Sequence, residues 1–176
     1  TMLMSVGWDF TFPDGVRDRN TGIWKDVELY ATGPVQLHHP YVQSRLPLPD
    51  TSSARETISV ELKNSTDALQ TGVLKADVDA LGIHIRQSVR LKPRESKLVV
   101  LTADQYPQLQ VRHPKLWWPV HKGAQYLYHL KLGFISQGKQ GAPGLLSHEV
   151  QSSFGIRNIS TDRQTPDSSR RFLVNG

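Results

Sequence analysis

The sequence predicts an all-β fold, an immunoglobulin-like antiparallel β-sandwich, and three observations carry that expectation. Apolar and polar residues alternate with a period of two along most of the chain. The alternating stretches are short and are separated by clusters of Pro, Gly, Asn, Asp and Ser. No long stretch carries the 3.6-residue apolar period of an amphipathic helix. Half-buried antiparallel strands read this way. About seven of them over ~120 residues is the pattern of such a sandwich.

Taken in order, the elements begin with a Trp/Asp/Gly/Pro-rich loop and an expected strand, Ile23–Tyr30. Thr32-Gly33-Pro34 punctuates, and a new strand starts near Val35. Thr57–Lys63 alternates cleanly, with Ile58, Val60 and Leu62 on one face. Leu74, Ala76 and Val78 share a face within Gly72–Ala80. Ile83, Ile85, Gln87, Val89 and Leu91 share another, opposite His84, Arg86, Ser88 and Arg90. Leu98–Leu101, Tyr126–Phe134 and Val150–Ile156 complete the set. Turns are expected at Lys63–Asp67, Asp79–Gly82, Lys92–Ser96 and Gly138–Gly144, where the residue types favour them. Thr161–Arg171 is polar and linker-like, and Arg171–Gly176 reads as a strand running into a turn.

Composition excludes several classes. The 176 residues carry 21 Lys+Arg against 16 Asp+Glu, a net charge of +5. The excess is dispersed, and its tightest cluster, Arg90, Lys92, Arg94 and Lys97, falls at an expected turn. Nucleic-acid tracking needs a continuous basic face with aromatic platforms, so no nucleic-acid partner is expected. No apolar run approaches the ~20 residues that span a bilayer, and no membrane role is expected. With no cysteine, thiolate metal sites and thiol nucleophiles are excluded. The seven histidines include no H-x-H or H-x₃-H pair, so no metal and no cofactor are expected. The chain is also too short for a complete (β/α)₈ barrel of ~250 residues.

Four motifs then stand in order. Gly7-Trp8-Asp9-Phe10, followed by Gly22-Ile23-Trp24-Lys25-Asp26-Val27, resembles the end of the N-terminal jelly-roll domain of glycoside hydrolase family 2. His113-Pro114-Lys115-Leu116-Trp117-Trp118-Pro119 resembles the P-x-L-W-W-P segment of that family's immunoglobulin-like domain, and Phe154-Gly155-Ile156-Arg157 its F-G-[IF]-R end. Phe172-Leu173-Val174-Asn175-Gly176 resembles the F-x-[VL]-N-G lead into the catalytic barrel. The set is most similar to the exo-β-glucosaminidase and mannosylglycoprotein endo-β-mannosidase branch, with the β-mannosidases close behind. Phe10 stands where many members have Trp, and Lys25 where most have Arg.

The resemblance implies three parts: residues 1–34 as the end of a jelly roll, 35–158 as the sandwich, and 159–176 as a linker and first strand toward a catalytic TIM barrel. It implies jelly-roll and barrel domains of the same parent chain as partners, and a carbohydrate substrate reached through the parent. Export to a bacterial periplasm, cell surface or medium is implied as well. Retaining glycosidases use two carboxyl groups ~5–5.5 Å apart. In the resembled family both are barrel glutamates, one in an Asn-Glu pair. This chain has no Asn-Glu dipeptide, and Glu28, Glu56, Glu61, Glu95 and Glu149 are all expected on solvated faces or beside turns. No catalytic residue is therefore expected here; the parent would be the enzyme.

By the same resemblance, Trp8 and Asp9 would reach substrate only in the full-length enzyme, an aromatic face and an acceptor being what a sugar offers contacts to. Trp24, Trp117 and Trp118 would pack between domains. Neighbouring strand residues face opposite ways, so one of Trp117 and Trp118 is expected to enter the core. Two other functions compete: a free-standing carbohydrate-binding or adhesion module using Trp117 or Trp118, and a purely structural immunoglobulin-like domain.

Overall fold

The computed structural model describes Ile23 and residues 25–138, 144–163 and 169–176. The chain divides into two compact units, Thr1–Ala31 and Thr32–Gly176. In the first, Ile23 and residues 25–31 form no strand, which corrects the expectation for Ile23–Tyr30. Alternation defines the faces of a segment, but a strand also needs a ladder of backbone hydrogen bonds to a neighbour.

The second unit contains β1 (Val35–Arg45), β2 (Ser53–Asn64), β3 (Gln70–Val78), β4 (Ile83–Leu91), β5 (Ser96–Thr102), β6 (Gln110–Arg112), β7 (Tyr128–Ser136), β8 (Leu145–Phe154), β9 (Ile159–Asp162) and β10 (Arg171–Val174). One sheet runs β1-β2-β5, with β6 also on β2; the other runs β4-β3-β7-β8; β9 and β10 form a separate hairpin. All these ladders are antiparallel. The chain passes between the sheets after β2, β4 and β6, the crossed connectivity of a sandwich. The predicted all-β sandwich is what forms, and among the described residues there is no α-helix.

Period two builds the core. Ala54, Ile58, Val60 and Leu62 of β2 are buried against Leu74, Ala76, Ile83, Ile85, Leu130, Leu132 and Phe134 of the other sheet. Each buried Leu, Ile or Phe contributes about 1.5–3 kcal/mol. Asn64 ends the inward row of β2 and is fully buried. Its amide donates to Ala68 O and Lys92 O, and its carbonyl accepts from Thr66, so two turns are tied to one side chain. At the same end, Arg94 grips Asp67 with two bonds of 2.7 and 2.8 Å and also donates to Ser65 O. That contact holds the Asp67 carboxyl below its usual range.

Two bulges interrupt the alternation, and both shape the seam between β1 and β8. In β8 the register steps from His148 opposite Phe134 to Leu146 opposite Ile135, leaving Ser147 unpaired. A bulge re-aims its side chain. Here Ser147 is buried, and its hydroxyl donates to Val35 O at 2.7 Å and accepts from Val35 N at 2.8 Å. Leu37 N donates to His148 Nδ1 at 2.9 Å, and Gly33 N to Ser147 O at 2.6 Å. In β1 the register steps from His38 to Tyr41, with His39 at φ 52°.

Replacing Ser147 by Ala strands the amide and carbonyl of Val35, and is expected to cost about 1–3 kcal/mol. A urea titration measures that loss, with faster exchange of the Val35 amide as the local sign. Burial, with His38 nearby, holds the His148 imidazole below the usual histidine range. The unfolded chain then takes up this proton at higher pH than the folded one. The contribution is whole above the ordinary value of 6.5 and is lost as pH falls through the folded value. Glu56 titrates in the same window with the opposite sign, so the His148 contribution is read as a difference: the urea midpoint of the native chain relative to His148→Gln is expected to fall between pH 8 and pH 5.

Candidate functional site at the tryptophan hairpin

Three of the four sequence motifs converge at one end of the sandwich. Leu116 bridges Ile156 in parallel, and Trp117 N donates to Ile156 O at 2.9 Å. On its other side Trp117 bridges Gln125, and Trp118 N donates to Ala124 O at 2.9 Å. A turn closes this small hairpin, with Lys122 N donating to Pro119 O. Two glycines admit the indoles. A Cβ on Gly155 would lie 2.7 Å from Trp117 Cβ, and one on Gly123 2.8 Å from Trp118 Cγ.

Both tryptophans are half-buried, and neither enters the core. Leu116 packs on the core in the place expected for one of them. The physical reason is local. The segment is a bridge flanked by turns, and Gly155 lies directly against the Trp117 side chain, so this indole packs on local backbone. The Arg157 guanidinium lies over the Trp117 ring, 4.5 Å from its centroid, a favourable cation–π contact.

Asn175 joins the third motif to this cluster. Its amide N donates to Asn158 O at 2.9 Å, its side-chain oxygen accepts from Asn158 N at 2.8 Å, and its Nδ2 donates to Trp117 O at 3.1 Å. Its φ is 56°, a conformation that asparagine tolerates better than most residues. The β9–β10 hairpin is thereby pinned to the tryptophan hairpin. Nearby, Tyr128 OH accepts from Lys115 N at 2.8 Å, and the Tyr128 ring meets Tyr126 edge to face and stacks on Phe154.

Glu56 departs from expectation. It is buried at 1% exposure, not solvated. It lies in phase with Ile58, Val60 and Leu62, so the pleat turns it inward. Ser44, opposite it in the ladder, donates to Oε2 at 2.6 Å, while Oε1 has no partner. Burial pushes this carboxyl up to about 7. Extending the alternation one step back from Ile58 identifies the position in the sequence. Glu95 caps its turn by accepting from Lys92 N, and Glu149 pairs with Lys131 at 3.2 Å. Among the described residues, no group of three or more His, Cys, Asp or Glu could hold a metal ion. Trp8, Asp9 and Trp24 lie outside the described residues.

Asn175→Asp keeps the backbone conformation and the acceptor but removes the donor to Trp117 O. It is expected to cost about 1 kcal/mol, and Asn175→Ala, which also loses the acceptor, about 1–3 kcal/mol. Urea midpoints and exchange of the Asn158 amide read the difference. For Glu56 the folded carboxyl keeps its proton to higher pH than the unfolded one. The contribution is whole below the ordinary 4.5 and is lost as pH rises through about 7. Glu56→Gln is expected to remove that slope and to stabilise the chain at pH 8 relative to the native residue, by up to about 3 kcal/mol.

Comparison with known proteins follows the same geometry. The model for glycosyl hydrolases family 2 matches residues 35–157, the span from β1 through Arg157. An exo-β-D-glucosaminidase of Streptomyces avermitilis is 33% identical over 174 residues, 98% of this chain and 18% of that protein. A mannosylglycoprotein endo-β-mannosidase of Lilium longiflorum is 30% identical, over 97% of this chain and 17% of that protein. The crystal structure of an exo-chitosanase from Amycolatopsis orientalis superposes with a TM-score of 0.67 at 25% identity, covering 82% of this chain and 15% of that one. The chain thus spans less than a fifth of the curated relatives it matches.

Proposed function

The chain belongs to glycosyl hydrolases family 2, and from that premise we propose that it is the non-catalytic sandwich segment of a retaining β-glycosidase of the exo-β-glucosaminidase or β-mannosidase type. Its work is mechanical. It holds a catalytic barrel and a jelly-roll domain of the same parent chain in a fixed relation, and the parent hydrolyses O-glycosidic bonds. The observation that carries this reading is the pinning of Asn175 to Trp117 and Asn158. The motif that resembles the lead into a barrel is fastened to the sandwich by backbone and side-chain bonds, as a joint between domains requires. Trp117, Trp118 and Trp24 supply packing surface at such joints.

The glutamates support a segment without chemistry of its own. Glu56 is buried without a described carboxylate bonded to it, and Glu95 and Glu149 serve local contacts. Trp8 and Asp9 are proposed as substrate contacts in the full-length enzyme on the strength of the resemblance. Location in a bacterial periplasm, on a cell surface or in the medium is proposed on the same ground.

The test has two parts. This chain alone is expected to release no nitrophenol from p-nitrophenyl β-D-glucosaminide or β-D-mannoside. Calorimetric titration with glucosamine and mannose oligosaccharides is expected to show no binding up to millimolar concentrations. Binding at millimolar or tighter, abolished by Trp118→Ala, would favour a free carbohydrate-binding module and sink the scaffold reading.

A further inference from the structure

We propose that the groove between β1 and β8 receives an extended, acidic polypeptide segment as an added strand. The seam between these strands is closed at one end only. Ser147 and His148 tie residues 35–37 of β1 to β8. Beyond the bulge at His39 and Pro40, β1 turns away, and the Tyr41–Arg45 stretch pairs with β2 on one side only. Ser152–Phe154 of β8 likewise pairs with β7 on one side only. Between these two free edges lies a groove of about 600 Å³.

A strand edge with unused amides and carbonyls is a template for another strand, and proteins usually block it. Here the proline sits at the bulge, and none of the five residues after it is a proline, so those whose amides turn away from β2 keep their donors. At ~3.3 Å per residue the open stretch of β1 matches a segment of about five residues. The lining chooses its chemistry. Arg45 and Arg157 are its charged residues, with no Asp or Glu among them, and Gln43, Ser44, Ser152 and Ser153 add polar groups. Arg157 is held against the Trp117 ring, so its guanidinium edge is preorganised for a carboxylate. Main-chain ladder bonds would supply affinity, and the two arginines would select acidic side chains.

This inference stands on the second unit alone and does not need the glycosidase reading. Its test uses the isotope-labelled 176-residue chain and two capped probes, Thr-Glu-Thr-Glu-Thr-Glu-Thr and the same peptide with Lys for Glu. The acidic probe is expected to shift and protect the amides of Gln43, Arg45 and Ser153, and the basic probe to leave them unmoved. Arg45→Gln, which cannot disturb the Trp117 stack, is expected to weaken the acidic probe several-fold, and Arg45→Gln with Arg157→Gln roughly tenfold, about 1.4 kcal/mol. Three results would overturn the proposal: no shift at millimolar probe, equal response to both probes, or shifts confined to the exposed Leu98 and Val100 of β5, at the far edge of the β1 sheet. Concentration-dependent shifts of these amides without peptide would assign the groove to a second copy of the chain and overturn the acidic partner.

Discussion

An alternation held without a slip along β2 is the constraint on which the rest of the sandwich depends. β2 is the strand on which β1, β5 and β6 all pair, so its register is copied into each neighbour. A slip of one residue would turn Ala54, Ile58, Val60 and Leu62 to solvent and Arg55, Ser59, Glu61 and Lys63 into the core. The apolar term resists that strongly. It also drags one misfit inward, because Glu56 occupies an inward position of the same row. The buried carboxyl is thus a consequence of register. Its environment, one hydroxyl donor and no counter-charge, favours the neutral acid.

Where the alternation fails, the structure gains connections that alternation cannot supply. The two sheets share no ladder, and side chains between their inner faces do most of the joining. At the β1–β8 seam, the bulge turns Ser147 inward, and one hydroxyl satisfies both backbone groups of Val35. The second bulge, at His39, then releases the rest of β1 from the seam. A closed end and an open end follow from two single-residue insertions.

This explains what was legible in the sequence. β2, β3, β4, β5 and β7 were readable because each keeps its period over several residues, and the turns between them carry residues that favour turns. β6 was not readable: three residues hold too little pattern. The bulges were invisible because an inserted residue looks like noise in a period of two. Glu56 reads as solvated from its charge, whereas its phase along β2 places it inward. The candidate site was legible as separate strings, but not as a site. Nothing in the spacing of Trp117, Asn158 and Asn175 states that their backbones meet; the fold of two intervening hairpins decides it.

That meeting point explains the choice of residue at 175. A glycine would adopt φ 56° as readily, yet would lose the acceptor for Asn158 N and the donor to Trp117 O. An aspartate would keep the acceptor and face a carbonyl where a donor is needed. Most other side chains would strain the backbone there. Asparagine alone among common residues combines tolerance of the left-handed conformation with one donor and one acceptor on a short stem. The orphaned Oδ1 of Asn158 and Oε1 of Glu56 show how unevenly this end of the sandwich is satisfied. Stability would be served by pairing those acceptors within the chain. Instead the paired bonds are concentrated on the junction between hairpins, where they fix the direction of β10.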